Sequence, residues 1–124
     1  MAESTSEQRR RHFRLVYPIT DRPWAVIEGV KYPIINISES GALVSLIGIE
    51  RALRVERSRG VLLAEQTFVT GELHFGDRAS VRVMGYVHVV RPNSFVIKLA
   101  ELIPLSIIMS EQRYIIQKTR KVAE

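Results

Sequence analysis

The 124-residue chain contains no cysteine, which rules out disulfides and thiolate metal sites. It has one tryptophan and only two aspartates, Asp21 and Asp77. Its three histidines, His12, His74 and His88, stand apart, in no H-x-x-x-H or H-x-x-E spacing. A metal centre is therefore not expected. No apolar run approaches the roughly 20 residues that a bilayer helix needs. The opening MAESTSEQRRR lacks the apolar stretch of a secretory leader, so a reducing cytoplasm is the expected location. Neither a glycine-rich phosphate loop nor a nucleophile elbow occurs. Glu39, the one acid in a conspicuous loop, reads as a solvated turn residue rather than a general base. No catalytic residue, cofactor or enzyme activity is expected.

What is abundant is arginine. Of 18 basic residues, 14 are Arg, and the net charge is +5. Four of them, Arg9, Arg10, Arg11 and Arg14, fall within six positions of the stretch QRRRHFRLVYP. A guanidinium offers a planar fork of donors that pairs bidentately with phosphate or a guanine edge and stacks on a base, which an ammonium does not. Residues 1–8 hold no large apolar side chain beyond the initiator Met and read as a flexible tail. The remainder, 9–124, has the length and the 46% hydrophobic content of one globular domain.

From Phe13 onward the pattern is strand-like. In FVTGELHF, Val69, Leu73 and Phe75 alternate with Thr70, Glu72 and His74, so one face is apolar and the other wet. ASVRVMGYVHVVR stacks Val81, Val83, Val87 and Val89 on one side, and Gly85 among them predicts a bend or bulge there. Turn residues punctuate these runs at Glu28-Gly29, Gly76-Asp77-Arg78 and Pro92-Asn93-Ser94. Several strands joined by short turns predict an antiparallel barrel or sandwich. Residues 48–60, GIERALRVERSRG, read as a helical or irregular excursion. The final stretch predicts a helix capped by Ser110, with Glu111 in its first turn and an apolar stripe of Ile108, Ile115 and Val122. The expected class is all-β with a C-terminal helix that lies on the barrel or binds a partner.

The stretch NISESGALVSL, residues 36–46, brings together an amide at Asn36, a hydroxyl at Ser38 and a glycine at Gly41. These residue types build Asx and Ser/Thr turns, with Gly41 expected at positive φ. In one loop beside an arginine cluster, they also suit a ligand that carries both bases and phosphates.

RRRHFR contains R-x-x-x-R at Arg10 and Arg14, and NISESG fits [DN]-x-S-x-x-G at Asn36, Ser38 and Gly41. In this order, the two motifs resemble those of the bacterial PilZ domain family. The resemblance covers nearly the whole chain and implies a six-stranded antiparallel β-barrel over about 13–103, with a C-terminal helix over about 107–122. It also implies a receptor for cyclic di-GMP, in which Arg10 and Arg14 grip guanine edges and phosphates. Asn36 would face a guanine edge, Ser38 a phosphate or base, and Gly41 would shape the loop. The output implied is a protein partner in motility, adhesion or exopolysaccharide control, reached in trans, with no nucleic acid polymer and no membrane insertion. Three features depart from the family pattern. Asn36 replaces the commoner Asp, Val96 stands near a frequent glycine, and the bulky residue of the preceding strand could be Tyr86, His88 or Val89. Two other readings exist: a PilZ-like interaction module without ligand, and a basic oligonucleotide-binding barrel. The second would need a face of stacking aromatics.

Arg9 directly precedes the R-x-x-x-R pair, and the resemblance implies that this variant favours two intercalated cyclic di-GMP molecules. Four phosphates and four guanines in one site call for more guanidinium than Arg10 and Arg14 supply, and Arg9 and Arg11 are the nearest additional ones. Calorimetric titration should saturate at two ligands per chain and fall towards one in Arg9→Leu. Saturation of the parent protein at one ligand, well above the dissociation constant, would refute this.

Overall fold

The structure, a computed structural model, describes residues 14–46 and 64–123. The expected tail, Arg9, Arg10 and Arg11, and the excursion at 48–60 lie outside the described residues.

Seven strands are present among the described residues: β1 (Leu15–Val16), β2 (Trp24–Ile27), β3 (Val30–Ser38), β4 (Gly41–Ser45), β5 (Phe68–Phe75), β6 (Ala79–Val90) and β7 (Ser94–Leu99). Every pairing is antiparallel. Strands β3-β2-β5-β6-β7-β4 run side by side, and β4 returns to pair with β3, which closes a six-stranded barrel. The short β1 adds to β3 as a seventh strand. This is the expected class, and closure leaves no long unpaired edge on the six strands.

The hairpins form where turn chemistry demands. Between β2 and β3, Glu28 and Gly29 both have positive φ, 49° and 83°, the requirement of a two-residue turn whose twist matches its strands. The β5–β6 and β6–β7 turns lie at Gly76–Arg78 and Arg91–Asn93, closed by backbone bonds from Arg78 to Phe75 and from Arg91 to Ser94.

Inside, Val69, Leu73 and Phe75 of β5 are buried, as their alternation predicts. They meet Ile27, Tyr32, Ile34, Ile37, Phe95 and Ile97 in one core, where Tyr32 and Phe95 pack edge to face with ring centroids 5.0 Å apart. The irregularity in β6 falls at His88, between the Val87–Ile97 and Val89–Val96 pairs, and not at Gly85. Val90 rather than Val89 therefore packs against the core beyond it.

Strand β4 sits close against β7. A Cβ on Gly41 would lie 2.4 Å from the Ile97 carbonyl oxygen, and Gly41 does not have positive φ. Its role is close approach of two backbones at the seam of the barrel, which corrects the turn role expected from sequence.

Helix α1 spans Leu105–Ala123. It begins after Pro104, whose carbonyl accepts from the Ile107 and Ile108 amides, so Ser110 lies inside the helix and is not its cap. Ile108 is buried and Ile115 packs against the core, which lays the helix on the barrel; the Val122 side chain lies outside the described residues. Between these two isoleucines sits Glu111, only 1% exposed. Tyr17 Oη donates to Glu111 Oε1 at 2.8 Å, and Arg78 donates from Nε to Oε2 at 2.8 Å and from Nη2 to Oε1 at 2.9 Å. Arg78 also lies over the Tyr114 ring, 3.5 Å from its centroid. A buried carboxylate is tolerable only when bonded in this way. Burial first, and then the bond to Glu111, hold the Tyr17 phenol well above the usual tyrosine value. The same carboxylate raises the value of Arg78 against the opposing effect of desolvation. No helix among the described residues is long and apolar enough to cross a membrane.

Two predictions follow from this packing. Gly41→Val forces a side chain into the Ile97 backbone and should lower stability by about 1–3 kcal/mol, read from urea unfolding; an unchanged midpoint would contradict the close approach. Tyr17 keeps its proton in the folded state at pH values where the unfolded chain, with a tyrosine value near 10, releases it. Its contribution is therefore complete below about pH 10 and declines above it by about 1.4 kcal/mol per pH unit. Comparing melting between about pH 9 and 11, the parent should lose stability more steeply than Tyr17→Phe.

Candidate functional site

Of the site residues expected from sequence, Arg14, Asn36, Ser38 and Gly41 are among the described residues, and one irregularity in β3 places them together on the outer face of the barrel. From Val30 to Ile34 the strand alternates, with Val30, Tyr32 and Ile34 buried in the core. Between the Ile34–Val44 and Asn36–Leu43 pairs the register shifts, with Ile35 as the extra residue. Beyond the bulge the parity is reversed: Ile37 enters the core, while Asn36 and Ser38 point outward. Both belong to β3, so the expected loop is in fact strand, and the turn itself is Glu39–Ser40.

Strand β1 lies along the same part of β3, with Leu15 opposite Ile37 and Val16 opposite Asn36. Leu15 and Tyr17 face inward and are buried, whereas Val16 is exposed. By the same alternation Arg14 is on the outer face, and the register carries it opposite Ser38. Its Nη1 donates to Asn36 Oδ1 over a long 3.5 Å. Ser38 Oγ is 3.5 Å from Ser40 Oγ. Asn36 and Ser38 are each only 8% exposed.

Gly41 is opposite Ser38 across the β3–β4 hairpin. The structure thus brings Arg14, Asn36, Ser38 and Gly41 into one patch. The turn beside them is tied to the segment that leads into α1: Leu99 N donates to the Ser40 carbonyl, and Ile103 N donates to the Glu39 carbonyl. Among the described residues no group of three or more His, Asp or Glu could hold a metal ion.

The register also orders the departures from the family pattern. Val96 and Val89 lie in the outer row of Asn36 and Leu43, and Tyr86 lies with Lys98 in the row of Ser38 and Gly41. The Tyr86 and His88 rings meet edge to face on this surface. The buried Tyr17–Glu111–Arg78 cluster was not legible as a site. Its one signal was the spacing of Glu111 inside the apolar stripe, three residues after Ile108 and four before Ile115.

No family model and no curated protein matches the sequence. Solved structures do match the fold. The inhibitor of motility MotI/DgrA from Bacillus subtilis superposes with a TM-score of 0.57 at 14% identity, covering 92% of this chain and 52% of that one. This chain therefore spans about half the length of the motility inhibitor. The PilZ domain of YcgR from Escherichia coli, solved with c-di-GMP, superposes with a TM-score of 0.51 at 15% identity, covering 93% and 95% of the two chains. A six-stranded closed antiparallel barrel, one added strand and a C-terminal helix packed on its side make this chain a PilZ fold.

Proposed function

We propose that the protein is a cyclic di-GMP receptor that acts on a protein partner. The observation that carries this reading is the placement of Arg14 over Asn36 and beside Ser38 by the β1–β3 register, on the outer face of a PilZ fold. The sequence motifs name the same residues independently of the fold. One solved protein with this fold was determined with c-di-GMP, and another is an inhibitor of motility, which supports a signalling adaptor over an enzyme.

Each part of the patch has a chemical task. Arg14 supplies charge-assisted donors for a phosphate or for guanine O6 and N7. Asn36 offers an amide that both donates and accepts, matching a guanine edge without the negative charge of an aspartate. Ser38 donates to a phosphate oxygen or a base. Gly41 keeps the floor free of a side chain beside Ser38. Arg10, with Arg9 and Arg11, would close over the ligand from the segment before β1 through charge-assisted bonds to its phosphates. Nucleotide binding would then fix the path of the chain into β1 and alter the surface offered to a partner.

Calorimetry with cyclic di-GMP, single-stranded RNA and single-stranded DNA tests the reading directly. Binding of the cyclic dinucleotide alone is expected. Arg14→Ala and Arg10→Ala should each weaken it at least tenfold, since a hydrogen bond to a charged group is worth about 1.5–3 kcal/mol. Ser38→Ala should weaken it less, and none of the three should lower the melting temperature appreciably. Unchanged affinity in both arginine variants, or preference for a polynucleotide, would refute the receptor.

A further inference from the structure

The outer row that carries Ser38 continues beyond Gly41. Gly41 is opposite Lys98 on β7, Lys98 is opposite Tyr86 on β6, and Tyr86 is opposite Phe68 on β5. Residues opposite one another across strands share a face. Arg14, just before β1, and Ser38, Gly41, Lys98 and Tyr86 on β3, β4, β7 and β6 therefore form one line on the outside of the barrel.

Lys98 is exposed, and no carboxylate of the described residues lies within ion-pairing distance of its ammonium. An exposed lysine is by itself only a solvated charge. Three observations distinguish this one. The residue beside it towards Ser38 is Gly41, which adds no side chain of its own to this row. The line holds no acidic residue. Finally, three strand spacings separate Arg14 from Lys98, roughly 14 Å between their backbones. Two long cationic side chains thus start from the two ends of a row of serine and glycine, and Tyr86, 36% exposed, borders the far end.

A cyclic dinucleotide carries two phosphodiesters on opposite sides of one ring, each with a single negative charge. A mononucleotide carries phosphate at one end only. Cations at both ends of the row match the former.

We infer that Lys98 is a ligand contact of this site, its ammonium binding the phosphate remote from Arg14, and that it selects dinucleotides over mononucleotides. This rests on the receptor reading. Lysine suits the role because an ammonium on a flexible stem meets a phosphate as a point charge without a fixed approach geometry. The sequence signal was the alternation of SFVIKL, which turns Val96 and Lys98 outward while Phe95 and Ile97 are buried.

The test measures cyclic di-GMP and GMP binding by calorimetry in the full chain, in Lys98→Met, in Lys98→Arg and in Arg14→Ala. Expected are an approximately tenfold loss of cyclic di-GMP affinity in Lys98→Met, with affinity retained in Lys98→Arg and melting unchanged in both. The preference for cyclic di-GMP over GMP should narrow in Lys98→Met. Lys98→Gln repeats the measurement should the methionine variant fold poorly. If Arg14→Ala loses affinity while Lys98→Met and Lys98→Gln bind as the parent does, the Lys98 contact is overturned and the receptor stands. If the parent binds no cyclic di-GMP, the receptor reading fails and the Lys98 contact falls with it.

Discussion

The extra residue at Ile35 is the constraint on which the outer patch depends. Unbroken alternation from Val30, Tyr32 and Ile34 would direct Asn36 and Ser38 into the barrel and Ile37 out of it. The energetic preference against that arrangement is large. Two polar side chains in an apolar core without partners cost about 1–3 kcal/mol each, and exposing an isoleucine forgoes about 1.5–3 kcal/mol more. A bulge disrupts the ladder locally, so the chain adopts it. Everything outward of it follows: the amide and the hydroxyl share a face, β1 pairs alongside them, and Arg14 arrives over Asn36. Gly41 then lets β4 lie close against β7, while its pairing with β3 closes the barrel.

The closed barrel places two chemistries on its two surfaces. The patch faces outward across β1, β3, β4 and β7. The Tyr17–Glu111 pair is buried under α1, with Arg78 reaching Glu111 from the partly exposed rim. Removing either partner would leave the buried Glu111 carboxylate less compensated, so these bonds constrain where α1 docks. A purely apolar stripe on α1 would tolerate rotation or sliding along the barrel. Glu111 accepts bonds from two separate parts of the barrel, the end of β1 and the β5–β6 turn, which admits a single docking.

Much of the fold was legible because its period was plain. The alternation of β5, the glycine turns at Glu28–Gly29 and Gly76, and the helical stripe through Ile108 and Ile115 each follow from local sequence. What escaped depends on residues distant in the chain. The β6 bulge falls at His88 and not at Gly85, because the partner strand β7 decides where the ladder slips. Helix α1 starts at Leu105, five residues before the serine that resembles a cap, because Ile108 and its neighbours have a barrel to cover. For the patch, residue types and order were legible, yet their secondary structure was not: Asn36 and Ser38 look like turn formers and are strand residues. For Lys98 the alternation of SFVIKL gave the outward direction, but only the register set it beside Gly41.

The bond from Tyr17 to Glu111 joins residues 94 positions apart. Its length along the chain governs the order of assembly. The β2–β3, β5–β6 and β6–β7 hairpins close short loops and form from local contacts, whereas α1 finds its seat only after the barrel exists to receive it. On a ribosome, Glu111 emerges long after Tyr17, so the phenol waits without its acceptor until α1 has been made. The chain entering the barrel is thus secured late, by a helix that follows all seven strands.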